Sequence, residues 1–360
     1  MSLHPVFGHR ALRGDLAKAL RADRLPQVLL LTGDPGVGKQ RLGLWLAQLG
    51  LCAEGGLEPC TTCSACRRVA GLSHPDFHWL VPIPRPKAGD SDKQVEEVRE
   101  TLAELMGARR EQPLYARPDG MAMHGVASAR LLLQLTTLTT VEGGRRFILI
   151  GDADRLVAQE SSPEAANALL KLLEEPPSST TFVLTTTDAT RVLPTIRSRA
   201  VPVRVGRLSE TELDEALATL LPKEPASERQ RRVGRAAGSL GRALETVADD
   251  PLDGAVAEVL EASRDGETAR WERCLRQGPW SARGEFTDLL DRLAETLGAG
   301  ARAAVSGEPV PAALARVGDP GRMLAAYDRV MAARESAQGN VNPQLLMAAL
   351  TGELGEALWT

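Results

Sequence analysis

A glycine-rich segment at residues 33–39, Gly-Asp-Pro-Gly-Val-Gly-Lys, constrains the fold more than any other feature of the sequence. It directly follows the apolar run 28–32, which predicts a buried strand, and it leads into a helical pattern. This is the strand–loop–helix setting of a P-loop, whose backbone N–H groups and helix N-terminus bind phosphate oxygens. The pattern predicts a parallel α/β sheet and a nucleotide-phosphate site formed by Gly33, Gly36, Gly38 and Lys39.

Four further apolar runs predict the remaining strands, at residues 77–81, 147–150, 182–185 and 201–205. Helical patterns separate these runs, and strands that alternate with helices are typical of a parallel sheet. The clearest helix runs from Pro163 to Glu175, with Ser162 as its cap and Pro176 as its stop. We therefore expect an α/β P-loop domain over residues 1–206.

The rest of the chain is predicted to be helical. Ser209 and Glu212 form a capping box that opens a small helical lid domain over residues 207–250. Residues 255–360 predict an all-helical domain, whose last helix has Asn342 as its cap. Within the first domain, residues 82–120 are predicted to be an insertion that carries one amphipathic helix near 95–106.

Composition excludes several classes of protein. Hydrophobic residues make up 43% of the 360 residues and charged residues 25%, so the chain can bury a core and is not disordered. The net charge of −4 gives no long-range attraction to DNA, and 3% aromatic residues exclude rows of stacked bases. No run of 18 apolar residues and no secretory core near residue 1 is present, so we expect no membrane contact and a cytoplasmic location.

Four of the five cysteines are clustered with the spacing C-x7-C-x2-C-x2-C, at Cys52, Cys60, Cys63 and Cys66. Four thiolates so spaced close a tetrahedral structural zinc site, whereas a disulfide cluster needs an oxidising compartment. The spacing predicts structural zinc over residues 52–66, and the alternative is a set of reduced core thiols. The fifth, Cys274, is predicted to be a small buried residue.

Two catalytic positions of the P-loop class are altered. The residue after Lys39 normally supplies a hydroxyl to magnesium, and here it is Gln40. The strand 147–150 leads to Asp152, which is placed to orient magnesium, but the next position carries Ala153 instead of a water-polarising Glu. Since phosphoryl transfer depends on metal placement and on water orientation, we expect little hydrolysis. Whether ATP or ADP still binds is open at this point.

Longer motifs resemble the bacterial clamp-loader AAA+ subunits of DNA polymerase III. These motifs are Asp-Ala-Asp at 152–154, EAANALLKLLEEPP at 164–177 and LPTIRSR at 193–199. Shorter matches lie at 6–9 and 339–343, so the resemblance covers most of the chain. The resemblance implies an AAA+ P-loop domain, a helical lid, and a C-terminal helical collar that assembles subunits.

The resemblance also implies a function. Clamp loaders are hetero-pentameric rings of ATPase subunits, a delta subunit and a subunit that does not turn over ATP, and they place a sliding clamp on primed DNA. The non-hydrolysing subunit donates an arginine finger to its neighbour's ATP site from a Ser-Arg-Cys motif, which here reads Ser198-Arg199-Ala200. Arg199 is the favoured finger and Arg197 the alternative. Thr185 to Thr187 and Arg242 correspond to the two sensor regions, with ordinary structural roles as the alternatives.

Three functions are thus compared. The favoured one is a non-hydrolysing clamp-loader subunit, which is not an enzyme alone but is accessory to the polymerase holoenzyme. The second is an active ATPase subunit of the same loader. The third is a zinc-dependent nucleic-acid-binding module, for which Arg67 and Arg68 are the only basic residues near the cysteines.

Overall fold

The computed structural model describes residues 5–87, 89–111, 122–142, 144–156, 163–244, 251–277, 283–307, 309–337 and 341–359. The chain divides into two compact units, one over residues 1–118 and 122–245 and one that includes residues 246–360. Within the described ranges, no helix combines the length and the apolarity needed to cross a membrane. The finer division into three domains stays a prediction.

A five-stranded parallel sheet lies at the centre of the first unit. Its strands are β1 (Val28–Thr32), β2 (Phe77–Leu80), β3 (Arg146–Ile150), β4 (Thr180–Thr186) and β5 (Val201–Arg204). Their spatial order is β2-β3-β4-β1-β5, so β1, which leads into the glycine-rich loop, lies between β4 and β5. The predicted parallel P-loop sheet is confirmed.

The central strands β1, β3 and β4 are buried along nearly their whole length. Since successive side chains of a strand point to opposite faces, this burial means that both faces of the sheet are covered. Helix α2 packs directly on the sheet, since a Cβ atom added at its Gly50 would lie 2.2 Å from the Phe147 ring of β3. Four other helices lie around the sheet. Together with α2, their ranges are α1 (Arg10–Arg21), α2 (Lys39–Leu51), α3 (Ser64–Ala70), α6 (Pro163–Glu174) and α7 (Pro194–Arg197).

The predicted amphipathic helix of the insertion is present as α4 (Ser91–Glu111), and α5 (Val126–Thr137) follows it. Helix α4 buries Val95, Val98 and Leu102 in the core of the first unit because these residues recur at helical spacing. Residues 88 and 112–120 of the predicted insertion, and the predicted cap Ser162, lie outside the described residues.

Three short helices complete the first unit: α8 (Glu210–Leu220), α9 (Ala226–Ala236) and α10 (Leu240–Leu244). The predicted capping box is confirmed, with the Glu212 amide donating to Ser209 Oγ at 3.2 Å and the Ser209 amide donating to the Glu212 carboxylate at 2.9 Å. A separate small core holds these helices together, formed by Leu208, Leu213, Leu217, Val233, Ala236 and Ala243.

Among the described residues of the second unit, every regular element is a helix, as predicted. Its helices are α11 (Pro251–Arg264), α12 (Glu267–Leu275), α13 (Arg283–Ser306), α14 (Pro320–Ser336) and α15 (Pro343–Trp359). Asn342 caps α15 by accepting a hydrogen bond from the Gln344 amide at 2.8 Å. Cys274 is buried in the core of this unit, as expected for an isolated thiol in a helix.

Candidate functional site: an altered P-loop, a four-cysteine cluster and Arg199

The glycine-rich loop joins β1 to α2 and has the backbone shape of a phosphate cradle. Gly36 and Gly38 have φ angles of 73° and 99°, in the left-handed region that side chains rarely adopt. Lys39 is buried, and its ammonium group donates to the carbonyl oxygens of Gly33 and Asp34 at 2.7 and 2.8 Å. The loop therefore keeps both the turn geometry and the cation that bind phosphate.

The lid helices contact this loop directly. Ser239 Oγ donates to the Pro35 carbonyl at 2.8 Å, and the Gly241 amide donates to the Gly36 carbonyl at 2.9 Å. The approach is so close that a Cβ atom at Gly36 would lie 2.3 Å from Ser239 Oγ. Two outward-facing carbonyls of the loop are thus bound by the start of α10, which fixes the lid against the P-loop.

An ion pair strengthens the same junction. Arg207 Nε lies 2.6 Å from the Asp34 carboxylate. Burial alone raises the pKa of Asp34, but the hydrogen bond and charge of Arg207, with smaller contributions from Arg242 and Lys39, bring it below its ordinary value. The proposed sensor residue Arg242 therefore lies in the electrostatic environment of the loop.

Gln40 occupies the position from which a P-loop usually offers a hydroxyl to magnesium. Its side-chain amide lies against Gly151 at the end of β3, where an added Cβ would be 2.8 Å from Gln40 Nε2. Arg109 from the inserted helix α4 reaches the same amide, with Nη1 3.5 Å from Gln40 Oε1, and its guanidinium lies 4.3 Å from the centroid of Trp79. Gln40 thus offers a neutral amide on a longer side chain at the position where a P-loop usually has a hydroxyl.

The acids that follow β3 differ in their surroundings. Asp152 has a φ angle of 50°, and its amide donates to Thr185 Oγ1 at 3.2 Å. Asp154 accepts a hydrogen bond from Thr186 Oγ1 at 2.7 Å. Ala153 between them is buried and offers no base. Thr185 and Thr186, which lie in the first proposed sensor region, thus hold the chain at the end of β3.

Two histidines contact this region, and no role in the site was predicted for either of them from the sequence. His9 Nε2 lies 2.8 Å from the Val37 carbonyl in the loop, and the buried His124 Nε2 lies 2.6 Å from the Gly151 carbonyl. Burial lowers the pKa of His124 to about 4, so the ring is neutral at pH 7 and donates its Nε2 proton. Isolated histidines carry no spacing signal, so only the fold identifies these contacts.

The four clustered cysteines come together as their spacing predicts. Their Sγ atoms all lie within 4.8 Å of one another. A Zn–S length of about 2.3 Å gives tetrahedral edges of about 3.8 Å, so the donor set fits Zn²⁺. The amides of Cys63 and Cys66 donate to the thiols of Cys60 and Cys63 at 3.3 and 3.4 Å. The amide of Cys63 is the main cause that lowers the pKa of Cys60 to about 6.

The loop between the first two cysteines is attached to the helices beneath it. Glu58 accepts hydrogen bonds from Trp45 Nε1 at 2.8 Å and from Arg13 at 2.5 Å, and Arg21 Nε donates to the Gly56 carbonyl at 2.8 Å. The cysteine module is therefore fastened to α1 and α2. Of the two basic residues near the cysteines, Arg68 is paired with Glu142, which does not favour a nucleic-acid-binding face.

Arg199 lies just beyond α7, with 29% of its side chain exposed. Its Nη1 donates to the Thr195 carbonyl at 2.6 Å, and its Nη2 forms an ion pair with Glu174 at the end of α6. Arg197 is also exposed and donates to the Ala189 carbonyl at 3.3 Å. Both candidate finger residues are thus at least partly accessible, and among the described residues only Arg199 of the two forms an ion pair.

Comparison with known proteins identifies the family. The family described as DNA polymerase III, delta subunit, matches residues 8–209. The chain is 26% identical over 246 residues to DNA polymerase III subunit delta' of Bacillus subtilis, which covers 68% of this chain and 61% of that protein. It is 31% identical over 192 residues to the subunit of the same name in Escherichia coli, which covers 52% of this chain and 46% of that protein.

A second group of relatives is also found. The chain is 28% identical over 219 residues to DNA polymerase III subunit tau/gamma of Haemophilus influenzae, which covers 61% of this chain and 26% of that protein. The matches thus span roughly half the length of the delta' relatives and a quarter of the tau/gamma relative. With the family match extending from the P-loop sheet into the start of the lid, the chain belongs to the DNA polymerase III delta-subunit family.

Proposed function

We propose that this chain is a non-hydrolysing subunit of a bacterial DNA polymerase III clamp loader. Family membership and the delta' relatives support a place in the loader. The contact between Gln40 and Gly151 is the observation that carries the non-hydrolysing part of the proposal, because Gln40 stands at the sequence position of the usual magnesium-binding hydroxyl and its amide packs against the end of β3. The chain is then accessory to the polymerase and not an enzyme alone.

Loss of hydrolysis follows from two missing groups. Gln40 provides no hydroxyl for magnesium, and Ala153 provides no carboxylate to orient water. Phosphoryl transfer depends almost wholly on positioning and charge stabilisation, so removing both groups leaves little of the usual rate. The cradle formed by Gly36, Gly38 and Lys39 still fits a phosphate group, and ATP or ADP is the ligand that the family implies there. When bound, such a nucleotide would supply negative charge to the loop and no chemistry.

The chain acts instead on its neighbour. Arg199 is the proposed finger, which reaches the ATP bound to the adjacent ATPase subunit and stabilises negative charge on its phosphates. Its exposure at the surface of the first unit supports this role. The proposed partners are the ATPase subunits and the delta subunit in a pentameric ring, and the sliding clamp and primed DNA through that ring.

Cys52, Cys60, Cys63 and Cys66 are proposed to hold a structural zinc ion. Four thiolates leave no open coordination position, so the metal stabilises the module without catalysing a reaction. The hydrogen bonds of Glu58 to Trp45 and Arg13 would then keep α1 in place against α2.

Reconstitution tests the proposal directly. Clamp loading onto primed DNA is measured with the ATPase subunits, the delta subunit and the clamp, with this chain present or omitted. Loading is expected to require the chain, although the chain alone hydrolyses no ATP. Equal loading without the chain would contradict the proposal.

The tau/gamma relative supports a second candidate, an active ATPase subunit of the same loader. ATP hydrolysis by the purified chain, abolished in Lys39→Ala, would identify this second function. The favoured proposal instead expects background hydrolysis for both proteins, because Lys39 alone cannot replace the two missing groups.

A further inference from the structure

The guanidinium of Arg199 is committed to its own chain. One terminal nitrogen, Nη1, donates to the Thr195 carbonyl at 2.6 Å and lies 3.4 Å from Ser198 Oγ, while Nη2 pairs with Glu174. Its Nε is buried and has no hydrogen-bond partner among the described residues. Both terminal nitrogens are therefore engaged within the chain, and a bidentate contact with a phosphate on a neighbouring subunit competes with the ion pair to Glu174.

The C-terminal end of α6 is an unfavourable position for the carboxylate of Glu174. Glu174 is the last residue of α6, where the helix dipole places partial negative charge and cations are preferred. Its side chain is 43% exposed, so no burial requires it to pair. The contact with Arg199 compensates for this position, and it ties α6 to the segment just after α7.

We propose that Glu174 is a positioning residue that competes with the neighbour's nucleotide for Arg199. This inference rests on the proposed function, because it assumes that Arg199 reaches a phosphate in trans. The ligand on the other side of the competition is the polyphosphate of that nucleotide. A carboxylate carries one negative charge and a terminal phosphate about two. Arg199 therefore pairs with Glu174 when the neighbouring site is empty and with the phosphate when ATP is bound there.

The competition makes a specific kinetic prediction. In the nucleotide-free state Arg199 forms an ion pair with Glu174, and this ion pair is lost when ATP binds to the neighbouring subunit. Once ATP is bound, the guanidinium is on the phosphate whether or not Glu174 is charged. Glu174 therefore raises the KM for ATP at the neighbouring site and leaves kcat unchanged.

The test uses the complete loader with wild type, Glu174→Gln and Glu175→Gln, and measures ATP hydrolysis against ATP concentration. Glu175 is the matched control, since it is adjacent, exposed and equally charged. Glu174→Gln is expected to lower KM about two- to fivefold with kcat unchanged, the range that a partly exposed ion pair supports. Glu175→Gln is expected to behave as wild type.

Two further variants separate this inference from the proposed function. Arg199→Ala tests the finger itself, and Arg199→Ala with Glu174→Gln tests whether Glu174 acts through it. If Glu174 acts through Arg199, Glu174→Gln has no effect on ATP binding at the neighbouring site in the Arg199→Ala background. An unchanged or raised KM in Glu174→Gln would overturn the competition even if Arg199→Ala is inactive. No effect of Arg199→Ala would overturn the proposed finger first.

Discussion

The side-chain amide of Gln40 lies against Gly151, so that a Cβ atom at residue 151 would stand 2.8 Å from Gln40 Nε2. This contact joins the first turn of α2 to the end of β3. P-loop ATPases hold magnesium and position water between these two elements. In this chain the Gln40 amide packs between them, and Arg109 of α4 lies with its Nη1 3.5 Å from Gln40 Oε1.

Gln40→Thr tests this reading of the P-loop. The shorter side chain removes the contact with Gly151 and offers a hydroxyl to magnesium. The affinity for ATP is measured by calorimetry with Mg²⁺ and with EDTA. Mg²⁺ is expected to raise this affinity at least about tenfold in the variant and to leave it unchanged in wild type. ATP hydrolysis is expected to stay at background in both proteins, because Ala153 is unchanged. Equal Mg²⁺ dependence in the two proteins would contradict the role assigned to Gln40.

Removal of zinc is expected to destabilise the first unit. Cys63→Ser should lose the metal and about 2 kcal/mol or more, which lowers the melting temperature by roughly 4–8 °C. The matched control is Cys274→Ser, since Cys274 lies in the second unit far along the chain from the cluster. Metal analysis should give one zinc per chain for wild type and Cys274→Ser and none for Cys63→Ser. Zinc retained by Cys63→Ser would argue against the four-thiolate site.

The contact between the lid and the P-loop predicts a large effect for a small change. In Gly36→Ala the new Cβ would meet Ser239 Oγ at 2.3 Å, and the residue would keep a φ angle of 73°. Together these are expected to cost about 1–3 kcal/mol of unfolding free energy, measured by urea denaturation.

Gly14→Ala is the control for Gly36→Ala. Gly14 lies inside α1, and nothing lies within 4 Å of an added Cβ there. Alanine is the better helix former, so this variant is expected to gain about 0.5–1 kcal/mol. A Gly36→Ala protein as stable as wild type would show that the lid does not pack on the loop in solution.

Buried histidines predict how stability depends on pH. Burial lowers the pKa of His124 and of His78 to about 4, the latter with the help of Arg146. A histidine in the unfolded chain has a pKa of about 6.5, so the unfolded state binds more protons than the folded state between about pH 4 and pH 6.5. Stability is therefore present above pH ~6.5 and is lost as the pH falls toward 4, by up to about 1.4 kcal/mol per pH unit for each histidine.

His124→Gln checks the sign. The free energy of unfolding is measured between pH 7 and pH 5 in both proteins. Wild type is expected to lose stability more steeply than the variant, because the variant has one fewer histidine to protonate. Parallel curves would mean that His124 is not held neutral in the folded state.

Much of the fold could be predicted because its signals are local. The five strands are short apolar runs, and the capping box of Ser209 and Glu212 needs only four consecutive residues. The cysteine cluster was predicted for the same reason, because all four cysteines lie within residues 52–66. Helix α3, which begins between two of those cysteines, has too few turns to show an apolar period.

The contacts that define the site could not be predicted, because they join distant segments. Arg109 and Gln40 are 69 residues apart, and Ser239 and Pro35 are 204 residues apart. Glu174 and Arg199 both lay within recognisable motifs, but neither motif indicates that the two side chains form a pair. Sequence identified the residue types, and only the packing of α2, α4, α6, α7 and α10 brings them to their partners.

The most direct test of the central claim compares Arg199→Ala with Arg197→Ala in the reconstituted loader. ATP hydrolysis and clamp loading are measured in the presence of primed DNA, after gel filtration has shown that each variant assembles. The account predicts a loss of hydrolysis of about 10³-fold or more at the neighbouring site for Arg199→Ala, and near wild-type rates for Arg197→Ala. Unchanged hydrolysis in an assembled Arg199→Ala loader would contradict it and would leave this chain a purely structural member of the ring.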